Sequence, residues 1–172
     1  YGQGQTAGAL KLYTTALATW QKALGPTHQD VANATHNLAL LRHTLGETAA
    51  AKTLYERTLS IRRQALGPEH PAVASTLGNL AGLQEAMGDT KGAVATLAAA
   101  LDIRERNLQR VLTTASETQK SIAVLALAGD VSRAISLHLK SAPTSSDAAR
   151  LAMTTLLRRK ARGLEAAADS MA

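Results

Sequence analysis

Between Pro71 and Met87, apolar side chains recur every three or four positions, at Val73, Leu77, Leu80, Ala81, Leu83 and Met87. That spacing gathers them on one face of a helix. His70-Pro71 suits its start, because a first-turn proline gives up only an N–H that has no partner inside the helix. Gly88 suits its end, being free to take a left-handed conformation. Asp89 or Thr90 can then cap a second helix that turns Ala93, Leu97, Leu101 and, at the margin, Ile103 inward.

The same pattern occurs 42 positions earlier. Leu24-Gly25-Pro26 returns as Leu66-Gly67-Pro68, His28 as His70, Val31-Ala32 as Val73-Ala74, and Asn37-Leu38-Ala39 as Asn79-Leu80-Ala81. Leu41, Gly46, Thr48, Ala51, Leu59, Ile61 and Arg62 also return at that offset. Chance matching at these frequencies would give about two or three such identities, so the chain is a repeat array. Each unit reads as two helices, with Ala39, Ala51, Ala81 and Ala93 small enough to let the pair approach closely. Read backwards, the offset maps Tyr55 to Tyr13 and Gly46 to Gly4. The first unit is therefore expected to be truncated, cut from a longer polypeptide, unless it is a worn capping repeat.

In register, Leu-Gly-Pro-x-His-Pro-x-Val-Ala, Asn-Leu-Ala-x-Leu, Met-Gly-Asp and Leu-x-Ile-Arg resemble the 42-residue tetratricopeptide (TPR) repeats of the kinesin-light-chain type. The resemblance covers residues 4 to 107. It implies an all-α fold, a TPR-like solenoid of antiparallel helix pairs over residues 1–107, with a less regular helical segment over 108–172. Arg42 and Gln84 depart from the family, which usually has a tyrosine there.

Residues 108–172 lose the period. Ser116-x-x-Gln119 is a capping-box pattern ahead of an apolar stretch from Ile122 to Ala128. Gly129-Asp130 looks like the Gly88-Asp89 break one residue out of register. A helix through Ile135, Leu137 and Leu139 should follow, ending near Pro143. Ser146 or Asp147 should cap a last helix carrying Leu151, Leu156, Leu157 and Leu164. Ser116-Glu117-x-Gln119-Lys120, Ser136-Leu137-His138-Leu139 and the run from Ala149 to Arg162 are similar to the segment that joins TPR arrays to the caspase-like CHAT peptidase domain of bacterial TPR-CHAT proteins. That resemblance implies a cytoplasmic bacterial parent whose protease domain lies beyond this chain.

Composition narrows the chemistry. Of 172 residues, 45% are hydrophobic but only 2% aromatic, so alanine and leucine supply the apolar content, as suits closely packed helices. There is no cysteine, so a thiol nucleophile, a disulfide and a thiolate metal site are all excluded within the chain. No apolar run approaches the ~18 residues of a membrane span, and the opening residues do not read as a secretory leader. The net charge of +6 is concentrated in Arg158, Arg159, Lys160 and Arg162, which read first as a solvated helix face. With so few aromatics to stack bases, direct nucleic-acid contact is not expected.

No catalytic constellation, metal site or cofactor is expected. His28 and His70 are equivalent loop positions suited to capping. His36 and His43 lie seven residues apart on one helix, about 10 Å along its axis, too far to share one zinc ion. Binding chemistry fits better, because the first helix of each pair in a solenoid lines a concave face. The resemblance to TPRs places groove positions at Asn33, His36, Asn37, Leu40 and His43, then at Ser75, Gly78, Asn79, Gly82 and Glu85. A side-chain amide both donates to and accepts from an extended backbone, which suits peptide capture by Asn37 and Asn79; the same two residues can instead bridge neighbouring helices. Gly78 and Gly82 should leave the second part of the groove shallow-walled. The sequence thus predicts a non-catalytic module that binds a protein or peptide partner, regulating a downstream protease or, alternatively, carrying cargo as a free-standing scaffold.

Overall fold

The computed structural model describes residues 3–116, 118–119 and 128–169, with side chains described for 8–116, 118–119 and 129–162. Every element among them is helical: α1 (Gln3–Leu24), α2 (Gln29–Thr44), α3 (Thr48–Leu66), α4 (Pro71–Ala86), α5 (Thr90–Thr114), α6 (Ala128–Ser136), a π-helical turn (Leu137–Ser141) and α7 (Ser146–Asp169). The fold is the expected TPR-like solenoid. Helices α2 and α3 form one pair, α4 and α5 the next, and α3 packs on α4 to join them.

The repeated punctuation does the same physical work in each unit. Gly25, Gly46, Gly67 and Gly88 all have positive φ, between 75° and 88°, a region that costs a residue with a Cβ. His28 Nδ1 accepts from the Asp30 N–H at 3.2 Å, and His70 Nδ1 from the Ala72 N–H at 3.1 Å. Both histidines are therefore helix caps. Asp89 caps α5 by accepting from the Gly92 N–H at 2.9 Å. At the two positions lacking the family's tyrosine, a polar clasp crosses the turn: Arg42 pairs with Glu47, and Gln84 reaches Asp89.

Ala39, Ala51, Ala81 and Ala93 are buried at the helix contacts, and Tyr55, Leu83 and Leu97 are the largest side chains sealed inside. Tyr55 is 0% exposed because α2 covers it, whereas Tyr13, its counterpart on α1, is 38% exposed beside Leu12 and Trp20.

The tail departs from expectation. Gly129 lies within α6 and has no positive φ, so Gly129-Asp130 is not a second Gly-Asp break. Asp130 is instead buried and paired with Arg104. Helix α6 stands beside α4 and α5, touching them through side chains, and α7 packs on α5 and α6. Leu137 is buried but Leu139 is 66% exposed, because residues two apart fall on opposite sides of a helix. The last helix is capped by Ser145, whose Oγ accepts from the Ala148 N–H at 3.2 Å, and not by Ser146 or Asp147. It packs through Ala148, Leu151 and Ala152, leaving Leu156 and Leu157 exposed.

The basic cluster is only partly a solvated face. Arg158 bonds Asp102 at 2.9 Å, and Arg162 bonds Glu105 at 2.8 Å, so two of its four residues clamp α7 to α5. Of the capping box, the Ser116 N–H donates to Gln119 Oε1 at 3.1 Å. The stretch Ile122 to Leu127 and the side chain of Leu164 lie outside the described residues.

Candidate functional site

Helices α2 and α4 present their predicted groove residues along neighbouring faces. Asn33, Asn37, Leu40 and Ser75 are exposed, while His36, His43, Asn79, Gly82 and Glu85 are half-buried. Leu40, His43, Gly78, Asn79, Gly82 and Glu85 converge on one open cavity of about 320 Å³ between α4 and α6. Asn33, His36, Asn37 and Ser75 lie outside it, nearer the N-terminal ends of the two helices. Arg133 and Leu137 complete its wall. The period carries no trace of these two, since they belong to a segment without register.

Beneath the Asn33 end sits a charge. Arg62, 7% exposed, donates from Nη1 to Ala72 O at 2.9 Å and Thr76 Oγ1 at 2.6 Å, and from Nη2 to Asn33 Oδ1 at 3.1 Å. It ties α2, α3 and α4 together through neutral acceptors. Arg104, its counterpart one repeat on, instead meets the Asp130 carboxylate of α6. Burial pushes the Arg62 guanidinium down and the Asp130 carboxyl up, the latter opposed by Arg104 and Arg133.

His36 is held neutral, its pKa lowered to about 4 by burial first and by the Arg62 charge second. The Asn79 amide nitrogen lies 3.3 Å from His36 Nε2. An amide N–H₂ can only donate, so Nε2 accepts and the ring proton sits on Nδ1, which is buried and unpartnered. His36 and His43 both turn toward the Tyr55 ring edge-on, at centroid distances of 5.7 and 6.4 Å. Asn79 thus does bridge neighbouring helices, through its nitrogen.

The two groove glycines differ. A Cβ at Gly82 would meet nothing within 4 Å, whereas one at Gly78 would lie 3.0 Å from Arg133 Nη1 and 3.3 Å from Arg104 Nη2. Arg133 Nη1 also donates to the Gly78 carbonyl at 3.2 Å. Long guanidinium side chains therefore span the space between α6 and the rest of the array. Ser141 of the π turn donates to Glu85.

A second, wider cavity of about 640 Å³ lies between α5 and α7, lined by Val94, Ala98 and Leu151 among side chains of both signs. It contains none of the groove positions. Among the described residues no cluster of three or more His, Asp or Glu side chains can hold a metal ion, and no helix is long and apolar enough to cross a membrane.

Paired helices and a 42-residue period define a helical-repeat protein. The chain belongs to the tetratricopeptide repeat family, whose model matches residues 1–64 and 42–106. Among solved structures it is similar to BtubC (BKLC) from P. vanneervenii, at 22% identity and a TM-score of 0.63 over 94% of this chain. It spans 58% of the BtubC chain. It is similar, too, to a putative kinesin light chain from Podosopora anserina with nearly identical TPR-like repeats, at 22% identity and a TM-score of 0.52, covering 94% of this chain and 89% of that one. A variant of that protein aligns at 21% identity and a TM-score of 0.53 over 94% and 88% of the two chains. No curated protein matches.

Proposed function

We propose that this chain is a non-catalytic binding module that captures an extended protein or peptide segment along the concave face formed by α2, α4 and α6. The observation that carries the reading is the convergence of Leu40, His43, Asn79, Gly82 and Glu85 on one open cavity. Asn33 and Asn37 extend that surface along α2 as exposed amides. Asn79 spends its nitrogen on His36 but keeps a carbonyl oxygen to accept a backbone N–H. Linear peptides selected on the immobilised chain from a displayed random library supply the ligand for a test. Asn37→Ala with Asn79→Ala removes two hydrogen-bonding groups worth ~1 kcal/mol each, so peptide affinity should fall about thirtyfold with helicity unchanged. Unchanged affinity sinks the groove assignment.

The tail supports a finer reading, in which this is the sensing region of a cytoplasmic bacterial TPR-CHAT protein, residues 1–107 forming the array and 108–172 the connection to a caspase-like protease. The resemblance of Ser136–Leu139 and of the Ala149–Arg162 run to that connecting segment carries it. Because α6 walls the groove, an occupied groove would act on the connection directly. Hydrogen exchange of α6 and α7 with and without bound peptide tests that coupling, and identical protection in both states counts against it. The alternative, a free-standing scaffold, is favoured by the likeness to kinesin-light-chain repeats. The gene downstream of Ala172 separates the two: a Cys-His peptidase domain supports the first, and a coiled coil or stop codon the second.

A further inference from the structure

The cavity between α4 and α6 exists because α6 stands beside α4 without closing on it. In the first pair of units the gap is bridged by short groups, His36 on α2 and Asn79 on α4. In the second, position 78 is glycine where position 36 is histidine, and the space is spanned from the other side by Arg133 reaching the Gly78 carbonyl. One helical turn further on Gly82 faces open space, and the next crossing is Ser141 donating to Glu85 at the far rim. Arg133 thus acts as a strut, and the void beyond it is the cavity.

Resting on the groove reading above, we infer that this void is a side-chain pocket that receives one uncharged, bulky apolar residue of the bound segment. Its interior is apolar, formed by Ala81, Leu97 and Leu137 with Leu40 at the mouth. Leu97 and Leu137 are 1% and 3% exposed, so the walls are anchored in the core and do not collapse into the gap. The rim favours neither sign of charge. Glu85 on α4 and Arg133 on α6 stand on the same cavity with opposite signs, and each is already bonded, to Ser141 and to the Gly78 carbonyl. An ionic side chain therefore gives up its hydration on entry without a matched counter-charge, whereas a neutral one gains the apolar contact. His43 and Asn79 remain at the rim to bond the segment's backbone.

Capped amino-acid amides probe the pocket without a known partner. N-acetyl-leucine amide and N-acetyl-phenylalanine amide, titrated into the full chain, should produce saturable shifts of the Gly82, Glu85 and Leu137 backbone amides in ¹⁵N–¹H correlation spectra. N-acetyl-lysine amide and N-acetyl-aspartate amide should bind about tenfold more weakly or worse, an uncompensated desolvation cost of ~1.4 kcal/mol accounting for that factor. Gly82→Leu fills the void from a helical position with room for the side chain, and should abolish the shifts. Leu40→Ser, at a residue 44% exposed, should weaken them while leaving the core intact, and serves if Gly82→Leu lowers the melting temperature. Equal binding of the charged amides, or undiminished shifts in Gly82→Leu, overturns the pocket. A chain that takes no probe yet still loses its selected peptide on Asn37→Ala with Asn79→Ala overturns the pocket alone. Probes that bind normally while that double substitution leaves peptide affinity unchanged overturn the groove.

Discussion

The Asn79 side-chain nitrogen meets Nε2 of His36 at 3.3 Å, joining the first helices of two successive repeats across the surface assigned to binding. The same imidazole stands within the field of the buried Arg62 guanidinium. A structural contact and an electrostatic constraint therefore share one ring, and both depend on its staying neutral.

Acid should loosen this junction. His36 has a folded pKa of about 4 against an ordinary 6.5, so between those values the unfolded chain binds a proton that the folded chain refuses. The stability contributed by neutral His36 is fully present above pH 6.5 and drains as pH falls toward 4. Because the ring is only half-buried, solvent screening trims the effect to about 1–2 kcal/mol. Urea midpoints at pH 7.0, 5.5 and 4.5 should fall progressively, and His36→Asn should flatten the decline. An equal decline in the variant removes His36 as its cause.

Arg62 offers a paired test. Arg62→Ala opens a gap and strands Asn33 and Thr76, and should cost about 3 kcal/mol. Arg62→Met strands the same acceptors but keeps the volume and removes a buried charge that no carboxylate bonds, so it should cost less than Arg62→Ala by about 1 kcal/mol or more. In Arg62→Met the His36 pKa, followed by NMR, should rise toward its ordinary value. A His36 pKa that stays near 4 would leave burial as the whole cause.

Gly82 and Gly88, six residues apart, should respond in opposite directions. Gly82 is helical with open space at its Cβ, so Gly82→Ala should stabilise the fold by up to about 1 kcal/mol. Gly88 sits at φ 77°, and Gly88→Ala should destabilise by about 1 kcal/mol or more. Thermal melts that move the same way for both would contradict this.

Tyr55 carries a buried hydroxyl with no partner among the described residues, and burial raises its pKa. Tyr55→Phe removes an unmet hydrogen-bonding group and keeps the ring against His36 and His43. Stability should rise by about 1 kcal/mol. A loss of that size in a urea titration would mean that the hydroxyl has a partner in solution.

The repeat made α2 to α5 readable, because helix caps, corner glycines and facing alanines recur at fixed spacing and act locally. His28, His70 and Gly88 announced their roles for that reason. The tail was not readable in the same way. Gly129-Asp130 imitates a turn, but the burial of Asp130 against Arg104 is a tertiary event that no local pattern encodes. Arg133 and Leu137 were missed as pocket walls because their place depends on where α6 docks. The register singles out Asn79, whereas its contact with His36 rests on the pitch between two repeats.

Trp20 is the chain's one indole, and it stands on α1 with 42% of its surface in water. Its emission consequently gauges a single helix at one end of the array. A melt followed at that wavelength reports the peeling of α1 from α2, and a guest settling between α4 and α6 leaves the emission unchanged. For this protein, tryptophan fluorescence reads the integrity of one end helix and is blind to the groove.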